Sequence, residues 1–131
     1  VRLIARGGPG VGFFGDRLVQ FTKAFGGNVI EVPAEWGKPV DPADFIKAVK
    51  QHPDTALAMV VHFETSTGVT NPIREIGAAI KGSGVPYMVD AVSSIGGVPY
   101  EMDPWNIDVT VTAPQKCLGV PPGLGLIALN P

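Results

Sequence analysis

The sequence predicts an α/β protein: a mostly parallel (mixed) sheet with helices on both faces. Three observations predict it. Six apolar, β-branched runs recur at near-regular intervals, each nearly continuous, as suits strands covered on both sides. Segments of helical period alternate with the earlier runs. The 17 Gly and 13 Pro, 30 of 131 residues, fall between these blocks and form no long tract. They read as tight connections between short elements.

The elements follow in order. Residues 1–5 form the first strand. Residues 14–25 form a helix whose Leu18, Phe21 and Phe25 recur at three- and four-residue spacing as its buried face, with Gly26-Gly27 as the stop. Asn28–Val32 is the second strand. Asp41-Pro42 opens the next helix with an N-cap and a first-turn proline, and Phe45, Ile46 and Val49 form its buried face. Residues 56–62 are the third strand. Asn71-Pro72 is expected to open Ile73–Ile80 in the same way, and Gly82-Ser83-Gly84 ends that helix. Residues 87–89, 107–112 and 125–129 complete the sheet. Strand–helix alternation implies right-handed crossovers. The last two strands have no helix-length segment between them, so an antiparallel pair is expected there. One domain over residues 1–131 is expected.

Ten Lys+Arg against twelve Asp+Glu leave a formal charge of −2 and a pI near 5.6. Phosphate neutralisation needs a basic stripe, so nucleic acid is not the expected partner. No apolar run approaches the roughly 20 residues that span a bilayer, and no basic-then-apolar leader opens the sequence. No membrane association is expected. The single cysteine, Cys117, excludes an internal disulfide and a multi-cysteine metal cluster. That fits a reducing, cytoplasmic compartment.

Three segments carry chemistry. Ala113-Pro114-Gln115-Lys116-Cys117-Leu118-Gly119 sets a lysine just beyond the fifth apolar run. Alone, Lys116 reads as a solvated loop residue; an amine can also hold an aldehyde cofactor as a Schiff base. Asp90 stands at the carboxyl end of the run before it, and alone reads as a turn cap. The two lie 26 residues apart, each following a strand, and ligands of open α/β sheets bind at those ends. An aspartate that keeps a pyridine nitrogen protonated, with a lysine on the aldehyde, marks pyridoxal phosphate sites. The third segment, Glu64-Thr65-Ser66-Thr67-Gly68, follows the third strand. Its hydroxyls can donate to a ligand oxygen, but by spacing alone they read as turn chemistry.

These segments, with Phe14-Gly15-Asp16-Arg17, Glu35-Trp36-Gly37-Lys38-Pro39 and Met102-Asp103-Pro104-Trp105, resemble the class V branch of the fold-type I pyridoxal-phosphate enzymes. Within it the likeness is to alanine–glyoxylate and serine–pyruvate (serine–glyoxylate) aminotransferases. It runs from about residue 13 to the end, with the blocks in the family's order. The resemblance implies that the chain is the central part of the fold-type I large domain, without the N-terminal segment or the C-terminal small domain. It implies pyridoxal 5′-phosphate as cofactor, Lys116 as Schiff-base lysine and proton shuttle, and Asp90 as partner of the pyridine nitrogen. Gln115 would bond the cofactor phosphate. Phe14 would stack on one ring face, Val92 would pack against the other, and Thr65 would set its hydroxyl near the ring oxygen. The implied reaction is ping-pong transfer of an amino group between a small amino acid, alanine or serine, and a 2-oxo acid, glyoxylate or pyruvate. The family is dimeric, so a homodimer is implied.

Two departures stand out. Val11-Gly12 occupies the place of the family's usual Asn-Gly, and Pro114 that of a frequent Ser. Cysteine desulfurases of the same fold typically carry a histidine before the lysine, where Gln115 stands here. His62, Glu64 and Trp36 are read as structural, His62 as a satisfied core histidine. Cys117 is read as a small buried side chain.

A rival reading rests on the first third. Gly10-Val11-Gly12-Phe13-Phe14-Gly15 fits G-x-G-x-x-G between a strand and a helix, and Glu31 follows 21 residues after Gly10. An NAD(P)-binding fold would use Gly10, Gly12 and Gly15 for the pyrophosphate and Glu31 for a ribose hydroxyl. It explains nothing beyond Glu31. A third reading is a non-catalytic fragment of the aminotransferase fold.

Overall fold

The computed structural model describes residues 1–7 and 12–131. In chain order the elements are β1 (Arg2–Arg6), α1 (Phe13–Ala24), β2 (Asn28–Val32), α2 (Pro42–Gln51), β3 (Thr55–Val61), β4 (Phe63–Glu64), β5 (Val69–Thr70), α3 (Ile73–Ile80), β6 (Tyr87–Asp90), β7 (Val109–Thr112) and β8 (Leu126–Leu129). Among the described residues, six strands form one sheet in the order β2-β1-β3-β6-β7-β8. All neighbours are parallel except β7 and β8, which run antiparallel. The mixed sheet is therefore the expected one.

Apolar residues on successive strand positions point to opposite faces, and both faces are covered. Ile4, Ala58, Val60 and Val89 join one core; Ala5 and Met59 join the other. α2 and α3 cover the first, burying Phe45, Ala48, Val49, Ile73, Ile76 and Ile80. Each such large side chain contributes about 1.5–3 kcal/mol on leaving water. α1 covers the second core with Val19.

Two local expectations need correction. α1 does not bury Phe21 and Phe25, which are 54% and 91% exposed. It meets the sheet through Gly15, where a Cβ would stand 3.1 Å from the Arg6 carbonyl oxygen, and through Val19 one turn later. That contact rotates Phe21 outward, where the Arg17 guanidinium lies 5.3 Å from its ring centre. Asn71 does not cap α3 either; Pro72 holds the cap position with no side-chain bond. Asn71 is buried and bridges two other segments instead. Asp41 behaves as expected, accepting the Ala43 N–H at 2.8 Å with Pro42 in the first turn.

The β4–β5 hairpin was not expected from the sequence. It carries the hydroxyl-rich segment and returns through Gly68, φ 72°. No described helix is long and apolar enough to cross a membrane.

Candidate active site

β1 lies between β2 and β3, so the chain leaves β1 toward one side of the sheet and returns on the other. Crevices at the carboxyl ends of strands near such a reversal are where open α/β sheets bind ligands. There, a cavity of about 190 Å³ is lined by Phe14, Val61, Phe63, Asp90, Val92, Ser93, Gln115 and Lys116. Five of the six residues expected at a cofactor site meet in it. The sixth, Thr65, does not line it. Its hydroxyl donates to Ser93 Oγ at 2.8 Å, so it reaches the wall through a neighbour.

Strand pairing explains the convergence. β6 and β7 pair with Asp90 opposite Val111, and the Ala91 N–H continues the ladder to the Val111 carbonyl oxygen at 2.8 Å. Asp90 ends one strand, and the chain leaving the other turns at buried Pro114, setting Gln115 and Lys116 at the same edge. Gly119 and Val120 close that turn on the carbonyls of Lys116 and Pro114. Lys116 and Gln115 are exposed on the outer side of the cavity.

Asp90 is half-buried, and one oxygen does what a turn cap does: Oδ1 accepts the Val92 N–H at 3.0 Å. Among the described residues, no donor engages the other oxygen. Burial pushes its carboxyl above the ordinary carboxylate range, the Val92 N–H opposes that, and the charge of Glu64 adds to the rise. A carboxylate so placed is suited to a cationic partner, because an opposite charge restores its ionised form. A protonated pyridine nitrogen is such a partner. With an amine, an amide, a flat aromatic wall and this carboxylate on one cavity, the residues present fit pyridoxal phosphate.

Larger concavities lie elsewhere. One of about 370 Å³ is at the opposite, amino-terminal edge of the sheet, where Asp108 is already engaged by the Tyr87 N–H at 2.7 Å. Another of about 420 Å³ lies beside His62. His62 is buried as expected, but among the described residues its Nδ1 has no hydrogen-bond partner, and burial lowers its proton affinity. Its ring packs near Tyr100 and Trp105.

Cys117 is exposed, correcting the expected burial. Its loop lies across Gly96-Gly97, with Sγ 3.8 Å from the Ser93 carbonyl oxygen. Trp36, read as structural, is 57% exposed.

The dinucleotide reading loses its anion site. Gly10 lies outside the described residues. The N-terminus of α1, which such a fold would turn toward a pyrophosphate, receives the Glu64 carboxylate instead: Oε2 accepts from Phe14 N and Gly15 N at 3.1 and 3.0 Å. Glu31 is paired with Lys23 at 2.5 Å. Sequence reasoning missed Ser93 in the cavity wall and Glu64 beneath it. For Glu64 there was a signal: a helix starting Gly12-Phe13-Phe14 carries no cap of its own.

The fold is the one shared by fold-type I aminotransferases of known structure. The family model for class-V aminotransferases matches residues 18–131, and the chain belongs to that family. It is 40% identical over 122 residues to the (S)-ureidoglycine–glyoxylate transaminase of Bacillus subtilis, covering 93% of this chain and 29% of that protein. It is 38% identical over 124 residues to the serine–glyoxylate aminotransferase of Methylorubrum extorquens, covering 91% and 31%. Among solved structures, an alanine–glyoxylate aminotransferase from Nostoc superposes with a TM-score of 0.89 at 31% identity, covering 98% of this chain and 33% of that one. The chain thus spans about a third of the length of the relatives it matches.

Proposed function

We propose that this chain is the central, cofactor-facing part of a pyridoxal-phosphate-dependent transaminase large domain. The reaction is ping-pong transfer of an amino group between a small amino acid, alanine or serine, and a 2-oxo acid, glyoxylate or pyruvate, in a homodimer. The observation that carries the reading is the meeting of Asp90 and Lys116 on one strand-end cavity. The relatives' names, with glyoxylate as partner, support the acceptor class.

When bound, pyridoxal phosphate supplies an electron sink for the pair left at the substrate's alpha carbon. Asp90 would hold the pyridine nitrogen in its protonated form, and such a cation would favour the ionised form of the Asp90 carboxyl. Lys116 would hold the cofactor's aldehyde through Nζ and would carry the proton of the substrate's alpha carbon, a role its exposed position at the cavity edge permits. Gln115 would donate its amide N–H to the phosphate. Phe14 and Val92 supply apolar walls for a flat ring, and Ser93, oriented by Thr65, supplies a hydroxyl at the wall.

The test is covalent capture. Pyridoxal phosphate added to the complete protein should give a visible absorbance band, and borohydride should fix the cofactor on the peptide bearing Lys116. A mass increment on another lysine, or on none, refutes the assignment.

A further inference from the structure

Glu64 is fully buried, does not line the cavity, and has no part in the steps above. It lies in β4, 49 residues from Gly15 in sequence, yet its Oε2 takes the main-chain N–H groups of Phe14 and Gly15. Oε1 accepts the N–H of Ser66 at 3.1 Å and its hydroxyl at 2.6 Å, and Ser66 Oγ accepts the Phe13 N–H at 2.9 Å. The first N–H groups of a helix have no partner within it. In α1, the N–H groups of Phe13, Phe14 and Gly15 all end on Glu64 and Ser66.

Gly12, at the cap position, makes this possible. Its φ of 152° disfavours any side chain, and a Cβ there would stand 2.6 Å from Glu64 Cδ. The dipole of α1 favours a carboxylate at this end. Arg6, buried beneath, adds the attraction of a cation: burial lowers its proton affinity, and the charges of Glu64 and Asp16 raise it.

We propose that Glu64 is a positioning residue: by capping α1 from the hairpin, it fixes Phe14 in the cavity wall shared with Asp90 and Val92, and thereby sets affinity for the cofactor ring. This rests on the function proposed above. Val19 anchors the body of α1 on Ala5 and Met59 whatever caps its start. Loss of the cap therefore loosens the first turn, which bears Phe14, before it loosens the fold. The same hairpin segment holds Ser93 through Thr65, so one short stretch braces two parts of the wall.

A double-mutant cycle in the complete protein tests this. In Glu64→Gln, an amide NH₂ replaces one acceptor, and the dissociation constant for pyridoxal phosphate should rise about tenfold, the scale of one hydrogen bond to a charged group. In the Phe14→Ala background the same change should alter it by less than about twofold, because effects through a shared residue do not add. Circular dichroism checks that the variants fold. If Glu64→Gln does not fold, Ser66→Ala serves, with a rise of about threefold and the same loss of effect without Phe14. An equal rise in both backgrounds, or none, overturns the proposal.

Hydrogen exchange separates this from failure of the proposed function. If wild-type protein binds no pyridoxal phosphate, that function falls, and the role of Phe14 toward the cofactor falls with it. The capping is still read directly: the amides of residues 13–15 should exchange at least about tenfold faster in Glu64→Gln. Unchanged exchange overturns the cap.

Discussion

The side-chain amide of Asn71 donates to the carbonyl oxygen of Val61 at 2.7 Å, while its Oδ1 accepts the Val40 N–H at 3.2 Å. One buried residue thus ties the end of β3, which lines the cavity, to the segment leading into α2. Asn71→Ala strands a buried donor and a buried acceptor, each costing about 1–3 kcal/mol. Urea unfolding should show a loss of about 2–4 kcal/mol. Asn71→Asp keeps the acceptor but turns an oxygen toward the Val61 carbonyl. It should be unstable at neutral pH and recover partly in acid, where a protonated carboxyl can donate.

Asp90 should work against stability when the cofactor is absent. The folded chain holds its proton more tightly than the unfolded chain does, because burial penalises the charge. Its contribution is therefore most favourable below the ordinary carboxylate range and is lost as pH rises through the folded value. Cofactor-free Asp90→Asn should melt higher than wild type at pH 7, and the gap should close toward acid pH. The same variant should lose most transamination. A melting gap that widens in acid, or unchanged turnover, contradicts this account of Asp90.

Lys116 is the group whose removal should separate binding from chemistry. Lys116→Arg keeps a cation at the cavity edge but cannot form the covalent link. Borohydride should then leave no increment on the peptide, while pyridoxal phosphate remains retained through dialysis more weakly than in wild type. Turnover should fall at least about 10²–10⁴-fold, the usual contribution of a positioned proton-transfer group.

Gly12 distinguishes a carboxylate from a pyrophosphate at the start of α1. Gly12→Ala places a Cβ against Glu64 at a φ that L-residues rarely adopt, so melting should show destabilisation of about 1–3 kcal/mol. NAD should leave the melting temperature of the wild-type protein unchanged, since Glu64 fills the place of its phosphates. A clear NAD shift would restore the dinucleotide reading.

Much of this was legible in the residues because it is local. Apolar runs set six strands, and Asp41-Pro42 set the start of α2, since both depend on short-range burial and capping. The antiparallel last pair followed from the absence of a crossover-length segment. The inward face of α1 was not legible. Phe21 and Phe25 have the period of a buried stripe, yet a glycine that lets two backbones approach outweighed them. Asn71 had the look of a cap, and nothing nearby in sequence announces that Val40 and Val61 need its amide.

By itself, the sequence determined an α/β sheet with Asp90 and Lys116 each just after a strand, because strand–helix alternation follows from local pattern. Only the tertiary structure decided what occupies the start of α1. The same glycines suit a phosphate or a carboxylate, and the choice was made by Glu64, which arrives from a hairpin about 50 residues away. A cap borrowed across that distance leaves no periodic trace, since it depends on where the chain returns in space and not on its neighbours in sequence.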